Sequence, residues 1–194
     1  MTGASTITYA PGVPTEAELR LCGDVAGRRV IELGGGQNAV ALAQQGARVM
    51  VVDPSVEQVA AGRQAAEAAD VRIEFHQSDL GDLGFATSGS VELVLSTTAL
   101  GEVDDVSRVF RQVHRVLKPG QPFVLAVPHP LTAALEGGEV VLRRAYGTPP
   151  ARTVSGYFTA LQRSNFDVDV LLEPVPAGAM VPAALVLRAR KLGV

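Results

Sequence analysis

Three consecutive glycines, Gly34, Gly35 and Gly36, stand after the apolar segment Val30-Ile31-Glu32-Leu33 and before Ala39-Val40-Ala41-Leu42-Ala43. Residues lacking a Cβ at such a junction let backbone approach a ligand closely, beside the amino terminus of a following helix. Asp53 closes the next apolar run, Arg48-Val49-Met50-Val51-Val52-Asp53. It follows Gly34 by about 20 positions, the spacing at which a carboxylate accepts hydrogen bonds from ribose hydroxyls and repels a 2′-phosphate. Further polar residues fall just after later apolar segments: Ser78 and Asp79, then Ser96 and Thr97. The three histidines are dispersed and Cys22 is alone, so no metal-ligand spacing is present.

These residues need a scaffold that brings segment ends together. Thr15-Glu16-Ala17-Glu18 is a capping box and predicts a short helix over about 14–22. Strands are expected at 29–33 and 48–53, separated by a helix that Gly46 ends. Ser55-Val56-Glu57-Gln58 opens a helix reaching about residue 69, and strands follow at 71–75 and 91–96. Val106, Val109, Phe110, Val113, Val116 and Leu117 fall at helical spacing, and Pro119-Gly120 stops that helix before a fifth strand at 123–127. Such alternation predicts an α/β fold with a parallel sheet covered by helices on both faces. After a helix near 153–164, two strands (166–172 and 184–188) are joined by a Pro/Gly-rich loop too short for a parallel crossover, so they are expected to pair antiparallel. In an open α/β sheet, ligands bind beyond the carboxyl ends of the strands. That is where the glycines, Asp53, Ser78-Asp79 and Ser96-Thr97 all fall.

Four stretches carry a resemblance: Val30-Ile31-Glu32-Leu33-Gly34-Gly35-Gly36, Val51-Val52-Asp53-Pro54-Ser55, Ser78-Asp79-Leu80 and Arg115-Val116-Leu117-Lys118-Pro119-Gly120. Over roughly residues 15–128 the chain resembles the class I methyltransferases that use S-adenosylmethionine. The resemblance implies a Rossmann-like three-layer sandwich, with a seven-stranded, mostly parallel sheet and a last antiparallel strand. It implies methyl transfer, with Glu32, Gly34, Gly35, Gly36, Asp53, Pro54, Ser78, Asp79, Leu80, Ser96 and Thr97 around the cofactor. Gly34 and Gly36 would face the methionine part and Asp53 the ribose; Asp79 would bond the adenine amino group, with Leu80 beside the ring. The family's third glycine position is Asn38 here. Either Asn38 takes the left-handed conformation of a glycine, or a shortened turn alters cofactor binding.

A base is needed only if the methyl acceptor must lose a proton, and His129, between Pro128 and Pro130, is the candidate. His76 is expected beside the adenine side and His114 as a packing residue; Tyr9, Glu102 and Tyr146 are lesser candidates. Ser96-Thr97-Thr98 replaces the Asn/Asp-Pro-Pro-aromatic motif of methyltransferases acting on nucleobase or glutamine nitrogens. With a formal charge of −3 and no basic run, this excludes nucleic acid and leaves a small-molecule acceptor. The alternative is a degenerate methyltransferase fold acting as a binding or regulatory module. A nicotinamide dehydrogenase is disfavoured, because G-x-G-x-x-G fails at Ala39.

At 194 residues, one domain is expected, with 1–27 as an amino-terminal cap and the irregular 128–152 as a lid or substrate loop. No signal-like segment or apolar membrane span stands out, so the expected setting is cytoplasmic, without membrane partners. The aliphatic composition, 47% hydrophobic with 5% aromatic, leaves room for an apolar homodimer face.

Overall fold

Unbroken apolar runs become interior strands. In the computed structural model, which describes residues 6–135, 145–147, 149 and 152–193, β1 (Arg29–Leu33), β2 (Arg48–Asp53), β4 (Leu93–Thr97) and β5 (Pro122–Pro128) are buried along almost their whole length. With β3 (Ile73–Gln77), β6 (Phe166–Leu172) and β7 (Ala184–Lys191) they form one seven-stranded sheet in the order β3-β2-β1-β4-β5-β7-β6. Only β7 runs against its neighbours, pairing antiparallel with both β5 and β6. The expected α/β, Rossmann-like architecture with a last antiparallel strand is the observed one.

Alternating side chains feed two apolar layers. On one face, Ile31, Leu33, Met50 and Leu125 meet α4 (Val106–Val116) and α5 (Val154–Arg163) through Phe110, Val113, Tyr157 and Leu161. On the other, Val30, Val49 and Leu95 meet α2 (Ala39–Gln44) and the amino-terminal segment through Leu42, Ile7, Tyr9 and Leu21. The third helix, α3 (Val56–Ala68), packs over β2 and β3. Side-chain caps fix three helix starts: the N–H of Gln58 donates to Ser55 Oγ, that of Arg108 to Asp105 Oδ1, and that of Gly156 to Thr153 Oγ1. Among the described residues, no helix is long and apolar enough to cross a membrane.

Three boundaries differ from the sequence expectation, each for a local reason. The first helix, α1, covers only Glu16–Leu19; Arg20 turns left-handed (φ 52°), and the Glu16 carboxylate takes the N–H groups of Leu21, Cys22 and Gly23. β3 starts at Ile73 because the Val71 N–H is still spent on the Ala66 carbonyl at the end of α3. β4 starts at Leu93, with Val91 making a lone bridge to Leu117. Within the expected lid, residues 136–144, 148, 150 and 151 lie outside the described residues.

The β3–β4 crossover, residues 78–92, contains no helix. It is a strap held from below by Arg115, whose guanidinium donates to the carbonyls of Leu83 (2.8 Å) and Ala86 (2.9 Å). Lys118 pairs with Glu92 at the strap's end, and Gly120 (φ 72°) turns the chain into β5. The Arg-Val-Leu-Lys-Pro-Gly segment thus owes its residue types to this support.

The amino-terminal segment is stitched down by one side chain. Asn38 Oδ1 accepts the Thr8 N–H (2.8 Å), and Asn38 Nδ2 donates to the Thr8 carbonyl (3.0 Å), as a neighbouring strand would. Asn38→Ala is expected to cost about 2 kcal/mol of stability, since both backbone groups lose their partner. Urea unfolding measures the loss, and amide hydrogen exchange should show it concentrated around Thr8 and Tyr9.

Candidate active site

β1 delivers the glycine turn directly to the carboxyl edge of the sheet. The Gly34 N–H donates to the Val52 carbonyl (2.8 Å), and the Gly36 N–H closes a tight turn onto the Gly34 carbonyl. Gly34 (φ 100°) and Gly36 (φ 71°) hold backbone conformations that L side chains rarely adopt. A Cβ at Gly34 would fall 2.5 Å from the Ala99 Cβ, and one at Gly35 would fall 2.8 Å from Gln58 Oε1. The turn therefore runs between Ala99, after β4, and the Gln58 amide on α3. Asn38 has φ −103°, in the right-handed region, so the left-handed expectation for it is corrected. Instead of imitating glycine, Asn38 uses its side chain on Thr8 and on Thr97 Oγ1 (3.4 Å), and its N–H on Glu32 Oε1 (3.0 Å).

Glu32 is the electrostatic centre of this end. Its side chain is buried and Oε2 has no hydrogen-bond partner among the described residues. Burial pushes its carboxyl up to about 8, against the opposing pull of the Asn38 hydrogen bonds. Asp53 is also buried, with Oδ1 accepting the Ser55 N–H (2.7 Å), while the Asp53 carbonyl takes the Ser78 N–H (3.2 Å) and ties the ends of β2 and β3. Asp79 is exposed; its Oδ1 accepts the Gly81 N–H (2.8 Å) and lies 3.9 Å from Arg108 Nη1. Pro54, Asp79, Leu80, Ala99, Glu102 and Arg108 line a cavity of about 490 Å³ there. Ser96 is sealed behind the turn, donating to the Leu33 carbonyl (3.1 Å).

Both ring nitrogens of His129 are engaged. Nδ1 accepts the Leu131 N–H (3.2 Å) and Nε2 lies 2.8 Å from Glu173 Oε1, so Nε2 carries a proton and donates. Glu173, after β6, was not visible in the sequence as a partner because 44 residues separate the two. His76 stacks on Phe85 with ring centroids 3.7 Å apart, and His114 packs against the Phe166 ring edge. Tyr9 donates to Glu16, Glu102 lines the cavity, and Tyr146 accepts the Val154 N–H. Burial pushes the Cys22 thiol up, leaving it unreactive. Among the described residues, no His/Cys/Asp/Glu group could hold a metal ion.

One site feature had no signal in the sequence. Thr98, directly after β4, sits at φ 71°, ψ −40°, a conformation costly for a β-branched residue. Its N–H donates to the Ala126 carbonyl (2.7 Å), and its own carbonyl takes the Gly101 N–H (3.0 Å). These bonds hold the bend that lays Ala99 over Gly34.

A family model described as a methyltransferase domain matches residues 31–125, the span from the glycine turn through β5. A crystal structure of an S-adenosylmethionine dependent methyltransferase from Mesorhizobium loti is 28% identical, with a TM-score of 0.74 over 90% of this chain and 96% of that one. Residues 31–125 belong to the class I methyltransferase family. The ubiquinone biosynthesis O-methyltransferase of Xanthomonas oryzae pv. oryzae is 29% identical over 126 residues, covering 62% of this chain and 53% of the relative. A ubiquinone/menaquinone biosynthesis C-methyltransferase of Rubrivivax gelatinosus is 31% identical over 108 residues, covering 55% and 41%. The chain spans about half the length of the curated relatives it matches.

Two expectations follow for this methyltransferase domain. A carboxyl whose proton is held more tightly in the folded state contributes stability below its unfolded value, and that contribution is lost as pH rises through the folded value. Urea unfolding across pH should therefore show Glu32→Gln gaining on the wild type from about 4.5 to about 8, then levelling off. Thr98→Gly should raise stability by about 1 kcal/mol, because relief of the strained backbone exceeds the entropy that glycine loses on folding.

Proposed function

We propose that this chain transfers the methyl group of S-adenosylmethionine to a small-molecule acceptor. The observation that carries the reading is the character of the strand ends: Glu32, with an unpartnered buried oxygen, Asp53 and Asp79 are acceptors and gather around a cradle with no Cβ atoms. Such a set fits a ligand rich in amino and hydroxyl donors that also carries positive charge. In this reading the backbone of Gly34, Gly35 and Gly36 faces the methionine part, with Glu32 beneath it. Asp53, with Pro54 and Ser78 beside it, takes the ribose hydroxyls; Asp79 takes the adenine amino group, with Leu80 against the ring. Ser96 and Thr97 support the turn from behind, through Leu33 and Asn38.

Bound there, S-adenosylmethionine supplies an electrophilic methyl group on a positively charged sulfur. The residues of the chain align acceptor and donor and exclude water, which is most of what a direct displacement needs. His129 is the proposed proton acceptor where the acceptor must lose a proton. Serving so requires Leu131 to release Nδ1, so in the present geometry His129 positions the segment after β5. The names of the O- and C-methyltransferase relatives support an oxygen or carbon acceptor over a nucleic acid.

A second reading, a binding or regulatory module without turnover, is favoured by one observation: Ala99 and Gln58 already cover Gly34 and Gly35. Calorimetry separates the outcomes. Micromolar binding of S-adenosylhomocysteine is expected for the intact chain, weakened roughly tenfold to a hundredfold by Asp53→Ala, the loss of a hydrogen bond to a charged group. Absence of binding to the wild type would sink the methyltransferase reading. Binding without turnover on a broad acceptor panel would favour the module.

A further inference from the structure

A second cleft lies at the opposite end of the sheet, where β1, β2 and β3 begin. It has a volume of about 930 Å³, and Arg29, Arg48, Arg63 and Arg72 line it above a floor that includes Val49, Ile73 and Phe75. The strand register explains why the arginines gather. Arg29 stands opposite Arg48 in the β1–β2 pair, and Val49 stands opposite Ile73 in the β2–β3 pair. One step back along that register, Arg72 faces Arg48. Three arginines therefore share one rung across three parallel strands, and residues on one rung point to the same face. Arg63, from α3, adds a fourth.

Nothing in the described chain neutralises this rung. None of the four guanidinium groups donates a hydrogen bond or lies within ion-pair distance of a carboxylate among the described residues. The nearby acids are mostly committed. Glu92, close to Arg29, pairs with Lys118 and accepts the Arg29 N–H, and Glu74 lies 2.8 Å from His76 Nε2. Glu67 on α3 is the remaining carboxylate in the lining. Like charges directly opposite one another destabilise a sheet, so a rung of this kind favours an anion. It stays accessible because the β3–β4 crossover, unlike the other parallel crossovers, carries no helix.

We propose that this cleft is a second ligand site, for a phosphate-bearing amphiphile. Guanidinium forks pair with phosphate oxygens bidentately, and neighbouring strands about 4.8 Å apart put two forks within reach of one phosphoryl group. The Val49, Ile73 and Phe75 floor takes an apolar part, which inorganic phosphate lacks. The site is independent of the methyl-transfer reading, since it shares no lining residue with the cavity at the strand carboxyl ends.

The test titrates the intact chain with pyrophosphate, with octyl phosphate below its micelle concentration, and with vesicles of phosphatidylglycerol or phosphatidylcholine. The expected result is a saturable rise in melting temperature with octyl phosphate, larger than with pyrophosphate and diminished by added salt. The double variant Arg48→Ala/Arg72→Ala should bind at least tenfold more weakly, with an unchanged circular dichroism spectrum and unchanged S-adenosylhomocysteine affinity. If phosphatidylglycerol vesicles bind in an arginine-dependent way while free octyl phosphate does not, the same rung reads a lipid headgroup, which also supports the site. Binding of neither probe, or equal binding by wild type and double variant, overturns it. Loss of S-adenosylhomocysteine binding in the wild type would overturn only the methyl-transfer reading.

Discussion

Asn38 joins four parts of the chain that are distant in sequence. Its backbone N–H meets Glu32 on β1, its side chain pairs with both backbone groups of Thr8, and Nδ2 reaches Thr97 at the end of β4. A primary amide suits this position because it donates and accepts at once, as a peptide group does. The entry to α2, the docking of the amino-terminal segment and the seating of the glycine turn all depend on that one residue. A glycine there would leave the turn intact and the amino-terminal segment without its anchor.

Much of the scaffold was legible in the sequence because its cause is local. The runs at 29–33, 48–53 and 123–127 are apolar on both faces, which only an interior parallel strand accommodates. Ser55 and Thr15 announced their helices by capping chemistry. The misplaced boundaries came from competition between partners: the Glu16 carboxylate outbids the helix for three N–H groups, and the Ala66 carbonyl holds Val71 back from β3. At the site, the order of glycines and acids was readable, yet what each group touches was not. The Ala99 roof over Gly34, the strain at Thr98 and the His129–Glu173 pair are products of tertiary packing between β4, β5 and the β6–β7 connection. The arginine rung escaped for a related reason. Arg29, Arg48 and Arg72 are isolated in sequence, and only the register of the strands sets them side by side.

The two ends of the sheet differ in electrical character. At the carboxyl end, Glu32, Asp53, Asp79 and Glu102 surround the glycine turn with acceptors; at the amino-terminal end, arginines dominate. A chain of net charge −3 is thus polarised along its strands rather than uniformly acidic. Ligands of opposite sign are drawn to opposite ends of the molecule, and each end disfavours what the other attracts.

The position of β7 has a consequence for how the molecule is made. This strand lies between β5 and β6, yet it follows both in the chain. Until residues 184–191 have been synthesised, β5 has a bare edge and β6 has no strand to pair with. The nascent sheet therefore grows from β1 outward as far as β5 and then waits, with a row of unpaired backbone groups beside apolar Val124, Leu125 and Ala126. Such an edge is a template for pairing with another chain, and β7 is the plug that closes it. Damage to this one strand would thus unmask an adhesive edge in the middle of the sheet as well as remove its own contacts.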